Sequence, residues 1–403
     1  MTKIINLTLV IVFFLTFNLN TAFAAPPSLA AQSGLVMDAQ NGQVLYQKNG
    51  DLKLDPASTT KILTGIIALE ETDLDDSVTV SKNAVGVEGT AIGLQKGEEL
   101  PMRSLMYALL LSSANDAAVA IAEHIGGSVD NFAKLMNEKA KQLGAQNSHF
   151  VNPHGLTVPG HKTTARDLAV IARYAMKNEK FREIVATINK EIKRGVPAET
   201  DPQTWAYNHN RLLGEYDDAI GIKTGYTTPA KQCIVGGARR GDRELIAVVL
   251  KSPTSNSRYA DAMALLDYGF NQFESKTLVE EGKIITRLDV PDGTKKVLVE
   301  AQDSFIYDFP VSDQSDVTQK IKPVSDFSAP VKKGDVVGKL QLFQANKQLG
   351  QVNLIALEDV RRKLTHHWWF WPSVAAVTLL VLRFWARARR RRRRFMFSTR
   401  RRR

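Results

Sequence analysis

The order of strand and helix signals constrains this chain more than any other feature. Gly34-Leu35-Val36-Met37-Asp38 and Gln43-Val44-Leu45-Tyr46 flank Asn41-Gly42, the strongest short signal for a β-hairpin. Asp55-Pro56 then opens a helix, with Asp suited to the cap and Pro to the first turn. Ile62, Leu63, Ile66, Ile67 and Leu69 give that helix a broad buried face. Further helical patterns run over 102–111, 117–125, 129–143 and 165–177. Strand character returns at 219–223, continues through 232–238, turns at Gly241-Asp242 and runs back along 245–250, before a helix over 259–268. Strands, then helices, then antiparallel strands predict one α/β domain over 25–272. Its first hairpin joins the late strands in a single antiparallel sheet beside a helical cluster.

Past about Ser275 the texture changes to short alternating runs such as Lys296-Val297-Leu298-Val299 and Val336-Val337-Gly338-Lys339-Leu340, separated by Gly, Pro and Asp. That pattern predicts a small all-β sandwich over 273–360. Both ends carry export and membrane signals. Lys3, the apolar run Ile4 to Leu19 and Ala22-Phe23-Ala24 read as a signal peptide over 1–24. At the other end, 366–386 reads as a membrane anchor. It opens on His366, His367, Trp368, Trp369 and Trp371, and needs Arg383 to snorkel if it is to span. A helix lying in the interface is the competing reading. The arginine run that follows, over 387–403, would stay on the cytoplasmic side. The expected location is therefore a bacterial cell membrane, with the body outside it.

The same tail explains the charge. Of 53 Lys and Arg, twelve fall between Arg383 and Arg403, which leaves 41 basic against 42 acidic residues in the rest. A body so nearly neutral offers no long-range attraction for phosphate, and no nucleic-acid partner is expected. Cys233 is the single cysteine, so no intramolecular disulfide forms, and Cys233-Ile234-Val235 reads as buried core.

Three short motifs carry the chemistry: Ser58-Thr59-Thr60-Lys61, Ser113-Ala114-Asn115 and Lys223-Thr224-Gly225. Lys61 lies three residues after Ser58, over the same helical face. An ordinary lysine is neutral only about once in 2500 at pH 7; lowering its pKa by about three units raises that share to roughly a third. Lys61 could then take the Ser58 proton without a histidine. S-x-N occurs twice. Ser81-Lys82-Asn83 follows a strand-like run and reads as a turn or cap, whereas Ser113-Ala114-Asn115 sits between two apolar helices and can face a cleft. Ser113 would relay a proton to the leaving amine, and Asn115 would bond the substrate backbone. Lys223-Thr224-Gly225 ends a strand. Gly225 lets a substrate lie along that edge, while Lys223 and Thr224 hold an anionic group.

With these motifs in place, the chain resembles the serine-type D-alanyl-D-alanine carboxypeptidases, low-molecular-weight penicillin-binding proteins of the penicillin-recognising serine hydrolase superfamily. The likeness extends to Pro56-Ala57 before Ser58, Leu111-Ser112 and Asp116 around the second motif, and Gly221-Ile222 and Tyr226-Thr227 around the third. It covers roughly Ser33 to Asp359. The resemblance implies an acyl-ester on Ser58, Lys61 as base, Ser113 assisting proton transfer and Lys223 contacting substrate. It also implies an oxyanion hole from the backbone N–H groups of Ser58 and Tyr226, and Arg258 engaging the terminal carboxylate of the leaving D-alanine. Tyr226 stands where some members have histidine, and His154-Gly155 matches a loop near the cleft. The implied partners are peptidoglycan stem peptides and, as covalent inhibitors, β-lactams. No cofactor or metal is expected, since H-E-x-x-H is absent and the histidines show no ligand spacing.

Three rivals share the scaffold. A class A β-lactamase would need E-x-x-x-N between the second and third motifs, and none occurs there. A DD-endopeptidase differs only in its substrate. A non-catalytic β-lactam sensor would need a cytoplasmic signalling domain where this chain has an arginine tail.

Overall fold

The computed structural model describes residues 25–194, 203–313, 315–325 and 327–399. The expected signal peptide lies outside the described residues. The chain divides into two compact units that meet in sequence at Phe273-Glu274, with Pro310–Ser312 returning to the first.

The first unit opens with β1 (Ser33–Asp38) and β2 (Val44–Lys48), paired antiparallel with a register shift between Val36 and Met37. A 3-10 turn at Ala57–Thr60 leads into α1 (Lys61–Glu71). Next come β3 (Ser77–Thr79), β4 (Glu99–Pro101), α2 (Met102–Leu110), α3 (Asn115–Gly126), α4 (Val129–Leu143), α5 (Ala165–Ala175) and α6 (Glu179–Ala186). A two-stranded ribbon, β5 (Asn189–Glu191) and β6 (Trp205–Tyr207), precedes α7 (Leu212–Glu215). The unit closes with β7 (Ala219–Thr227), β8 (Lys231–Arg240), β9 (Arg243–Ser252) and α8 (Ser255–Gln272).

The sheet order is β2-β1-β9-β8-β7. As the sequence predicts, the first hairpin joins the late strands, with β1 lying against β9. Side chains alternate across the sheet because the strand period is two. Leu35, Met37, Val235, Ile246 and Val248 enter the core shared with α1 to α6. Val36, Ile234, Leu245, Ala247 and Val249 enter a second core under α8, with Tyr259, Leu265 and Leu266. A sheet covered on both faces reads as continuous apolar runs, which is why these strands lack polar alternation.

Two expected boundaries shift. Ser58 lies in the 3-10 turn rather than the first turn of an α-helix, and the Asp55 carboxylate pairs with Lys162 at 2.7 Å instead of capping. Lys223-Thr224-Gly225 sits inside β7, whose pairing runs on to Thr227 opposite Lys231. Ser81 behaves as expected of a turn residue, its Oγ accepting the N–H groups of Asn83 and Ala84.

One buried ion pair braces the loop that lies between β3 and β4. Arg194 Nη2 donates to Glu98 Oε2 at 2.8 Å, and the same guanidinium reaches the carbonyls of Ile92 and Gly93. Both side chains are almost wholly buried. Glu98→Ala strands that cation in the interior, so we expect a loss of about 3–5 kcal/mol in urea unfolding. A loss below about 1 kcal/mol would show that water reaches the site.

The second unit is all-β. It contains β10 (Phe273–Val279), β11 (Ile284–Leu288), β12 (Val297–Ala301), β13 (Phe305–Pro310), β14 (Val317–Pro323), β15 (Val336–Gln344) and β16 (Lys347–Ala356). A five-stranded sheet, β11-β12-β16-β15-β14, and the pair β10-β13 share one core built on Val279, Val297, Val299, Leu340, Leu342 and Leu354. The chain then enters α9 (Phe370–Thr399). The expected membrane-spanning helix is corrected here: no helix among the described residues is long and apolar enough to cross a membrane. The apolar part of α9 meets Arg383 after thirteen residues, a rise of only about 20 Å against a hydrocarbon core of about 30 Å.

Candidate active site

The backbone brings Ser58 and Lys61 together through an unusual local path. Ala57 adopts φ 49°, a left-handed conformation rare outside glycine. This turns the 3-10 segment so that Ser58 and Lys61 face one cleft. Lys61 is fully buried. Its Nζ lies 3.1 Å from Ser58 Oγ, 2.7 Å from Asn115 Oδ1 and 2.7 Å from the His154 carbonyl. Burial and the positive charge of Lys223 hold the ammonium well below the ordinary lysine pKa, with Asp116 acting in the opposite direction.

That geometry states a protonation logic. A neutral amine has two N–H bonds and one lone pair. The Asn115 and His154 oxygens can only accept, so they take the two N–H bonds. In that state the lone pair is left for the Ser58 hydroxyl; as an ammonium Lys61 donates to all three oxygens.

Ser113 is buried at the α2–α3 junction with φ 62°. Its neighbours fix it: the Ala114 N–H donates to the Ala108 carbonyl and the Asn115 N–H to the Thr90 carbonyl. A non-glycine residue in this region costs about 1–3 kcal/mol, and such strain clusters at functional positions. Asn115 has a second task besides the expected bond to the substrate backbone. Its Oδ1 receives Lys61 and its Nδ2 donates to the Glu88 carbonyl, so the side chain positions the base. Asp116, next in the chain, accepts the N–H groups of Ile92 and Leu94.

β7 supplies the other wall. Lys223 is buried, and burial together with the Arg258 charge lowers its pKa to about 7. Thr224 is also buried. Gly225 lets the strand press against the nucleophile turn: a Cβ there would stand 2.7 Å from the Ser58 nitrogen and 3.0 Å from Ala57 Cβ. Tyr226 is 55% exposed and points to solvent. Arg258, in the first turn of α8, stacks over Tyr259 and donates to the Gly225 and Cys233 carbonyls at 3.3 Å. Its Nε is buried without a hydrogen-bond partner among the described residues. Cys233 is core as expected, burial pushing its thiol up to about 11.

The resemblance places His154-Gly155 in a loop near the cleft but gives it no role, and the structure brings the His154 carbonyl onto Lys61. Its contribution is a backbone oxygen, which leaves no side-chain signature. The loop is held by Asn152 Oδ1, which accepts the Gly155 N–H, and by His161. His161 Nδ1 accepts the Val151 N–H, so its Nε2 carries the proton given to Thr60 Oγ1 at 3.0 Å. Gly155 is required by contact as well as by its φ of 90°, since a Cβ would overlap the Ala57 carbonyl at 1.8 Å.

Comparison with known proteins agrees with this geometry. The D-alanyl-D-alanine carboxypeptidase family, peptidase S11, matches residues 20–254. The C-terminal domain of penicillin-binding protein 5 matches residues 273–362. The D-alanyl-D-alanine carboxypeptidase DacF of Bacillus subtilis is 35% identical over 82% of this chain and 86% of its own length. DacC of Escherichia coli is 33% identical over 84% and 88%. The structure of penicillin-binding protein 5 from Haemophilus influenzae superposes with a TM-score of 0.75 at 30% identity, covering 84% of this chain and all of that one. With all three motifs inside the matched span, the chain belongs to the peptidase S11 family of serine-type D-alanyl-D-alanine carboxypeptidases.

Proposed function

We propose that the chain removes the terminal D-alanine from peptidoglycan pentapeptide stems through an acyl-enzyme on Ser58. The observation that carries this is the buried Lys61 Nζ, held by the Asn115 and His154 oxygens 3.1 Å from Ser58 Oγ, where its neutral form can take the Ser58 proton. Ser58 Oγ attacks the carbonyl of the penultimate D-alanine as its proton passes to Lys61. The C–N bond breaks, and the proton reaches the leaving amine by way of Ser113. Water then cleaves the ester, with Lys61 again accepting a proton. The Ser58 and Tyr226 backbone N–H groups would hold the oxyanion, a contribution of about 3–4 kcal/mol for each donor of this kind. Lys223, Thr224 and Arg258 would hold the terminal carboxylate. A β-lactam enters the same first step and remains as the ester.

Incubation with a D-Ala-D-Ala peptide should release D-alanine, and labelled penicillin should mark the wild type but not Ser58→Ala. No release, with both proteins equally inert to penicillin, would refute the reading. Cross-linked dimers in place of the peptide test the endopeptidase variant.

We also propose that the chain is exported and that α9 holds it on the outer face of the cytoplasmic membrane, lying in the interface. Trp371, Val374, Val377, Val381 and Phe384 are all exposed along α9, and Arg389 stacks over Trp385 at 3.8 Å. Apolar and aromatic residues beside arginines suit an interface with anionic headgroups. The full chain should sediment with phosphatidylglycerol vesicles and a chain ending at Lys363 should not; equal sedimentation would place the contact elsewhere.

A further inference from the structure

The β5–β6 ribbon has two unlike faces. Ala206, in the middle of β6, is fully buried, and Lys190 opposite it reaches over the Tyr107 ring at 5.5 Å. That pair faces the body. Strand alternation therefore sends Trp205 and Tyr207 outward, together with their cross-strand partners Glu191 and Asn189. Trp205 is 43% exposed and Tyr207 57%. Their rings lie nearly parallel, 28° apart with centroids at 6.5 Å. Two large aromatics left side by side in water mark a contact surface rather than a core.

This surface borders the cleft. The Tyr207 N–H donates to Ser112 Oγ at 3.2 Å, one residue from Ser113, and the His209 N–H donates to the Leu111 carbonyl. Asn208 Nδ2 ties the same segment to the carbonyls of Val185 and Thr187. The ribbon is thus fixed to the wall that carries the second motif.

We propose that the outer face of the ribbon is a carbohydrate platform, on which Trp205 and Tyr207 stack the sugar rings of a peptidoglycan glycan strand while Glu191 and Asn189 bond its hydroxyl and amide groups. This rests on the proposed function, in which the stem peptide is attached to such a strand. The chemistry favours a glycan over other occupants. The two stacked, half-exposed rings present apolar aromatic faces of the kind that flat sugar rings cover. The polar groups beside those faces are a carboxylate and an amide, which serve hydroxyls, and none of the four residues offers a cation to an anionic lipid.

The test uses the full chain, with Trp205→Ala and Tyr207→Ala. The probe for binding is the β-1,4-linked tetramer of N-acetylglucosamine, measured by calorimetry. The substrates are a free pentapeptide and uncross-linked, glycan-linked pentapeptide. Both variants should keep wild-type penicillin labelling and turn over free peptide within about twofold of wild type. Each should raise KM on the glycan-linked substrate by about tenfold, the size of a single aromatic anchor, and lose tetramer binding. Equal effects on the two substrates, or no tetramer binding by the wild type, would overturn the platform. Failure of the wild type to release D-alanine from either substrate, with tetramer binding intact and lost in the variants, would instead refute the carboxypeptidase reading alone.

Discussion

Lys61→Met should lower the rate of acylation by penicillin about 10²–10⁴-fold, the span expected for loss of a positioned general base. Methionine keeps the length and the apolar stem of lysine and removes only the amine. The cleft loses a group that takes two acceptors and leaves a lone pair on Ser58. Stability should change little. The Asn115 and His154 oxygens lose a donor, at about 1–3 kcal/mol for a buried acceptor, but the buried amine no longer has to be desolvated. Stopped-flow acylation measures the first effect and thermal melting the second. Raising the pH should not restore the variant, because the methionine side chain carries no group that can accept the Ser58 proton. An acylation rate within tenfold of wild type, at unchanged melting temperature, would remove Lys61 from the base role.

The sequence made the Ser58–Lys61 pairing legible because a three-residue spacing stacks side chains in any helical turn. It did not reveal the kind of turn. Asp55-Pro56 reads as a helix start by local preference, yet Asp55 is drawn to Lys162 and Ala57 takes φ 49° under tertiary contact. The large sheet was legible from element order, since a hairpin far upstream of a strand set can bury its edge only by joining it. The end of β7 was not, because Gly225 and Thr227-Thr228-Pro229 resemble a break. Pairing with β8 carries the strand to Thr227 regardless. Asn115 was found as a site residue but not as the support of Lys61. That task depends on Glu88 and the loop around it, far away in sequence. The β5–β6 ribbon is too short to show a period.

Acylation efficiency, as k2/K, should follow a bell-shaped pH profile whose alkaline limb is set by Lys223. The two lysines must be in opposite states for the free enzyme to react: Lys61 neutral to accept a proton, Lys223 charged to hold the carboxylate of the penicillin. Both are depressed by burial, Lys61 further by the Lys223 charge and Lys223 further by the Arg258 charge. The rate climbs with pH as Lys61 gives up its proton. Lys223 stays charged until about pH 7, and above that the clamp weakens and the rate falls. Because the sites interact, the two midpoints belong to the pair. Lys223→Arg keeps its charge throughout and should turn the alkaline limb into a plateau. Arg258→Gln removes the charge that depresses Lys223 after burial, so it should move the limb to higher pH at reduced amplitude. With the carboxylate bound, the charged lysine is favoured, and the limb seen at saturating penicillin should also lie higher than the limb in k2/K. A wild-type profile that climbs without turning, or an alkaline limb unmoved in Lys223→Arg, would show that the anion is held elsewhere.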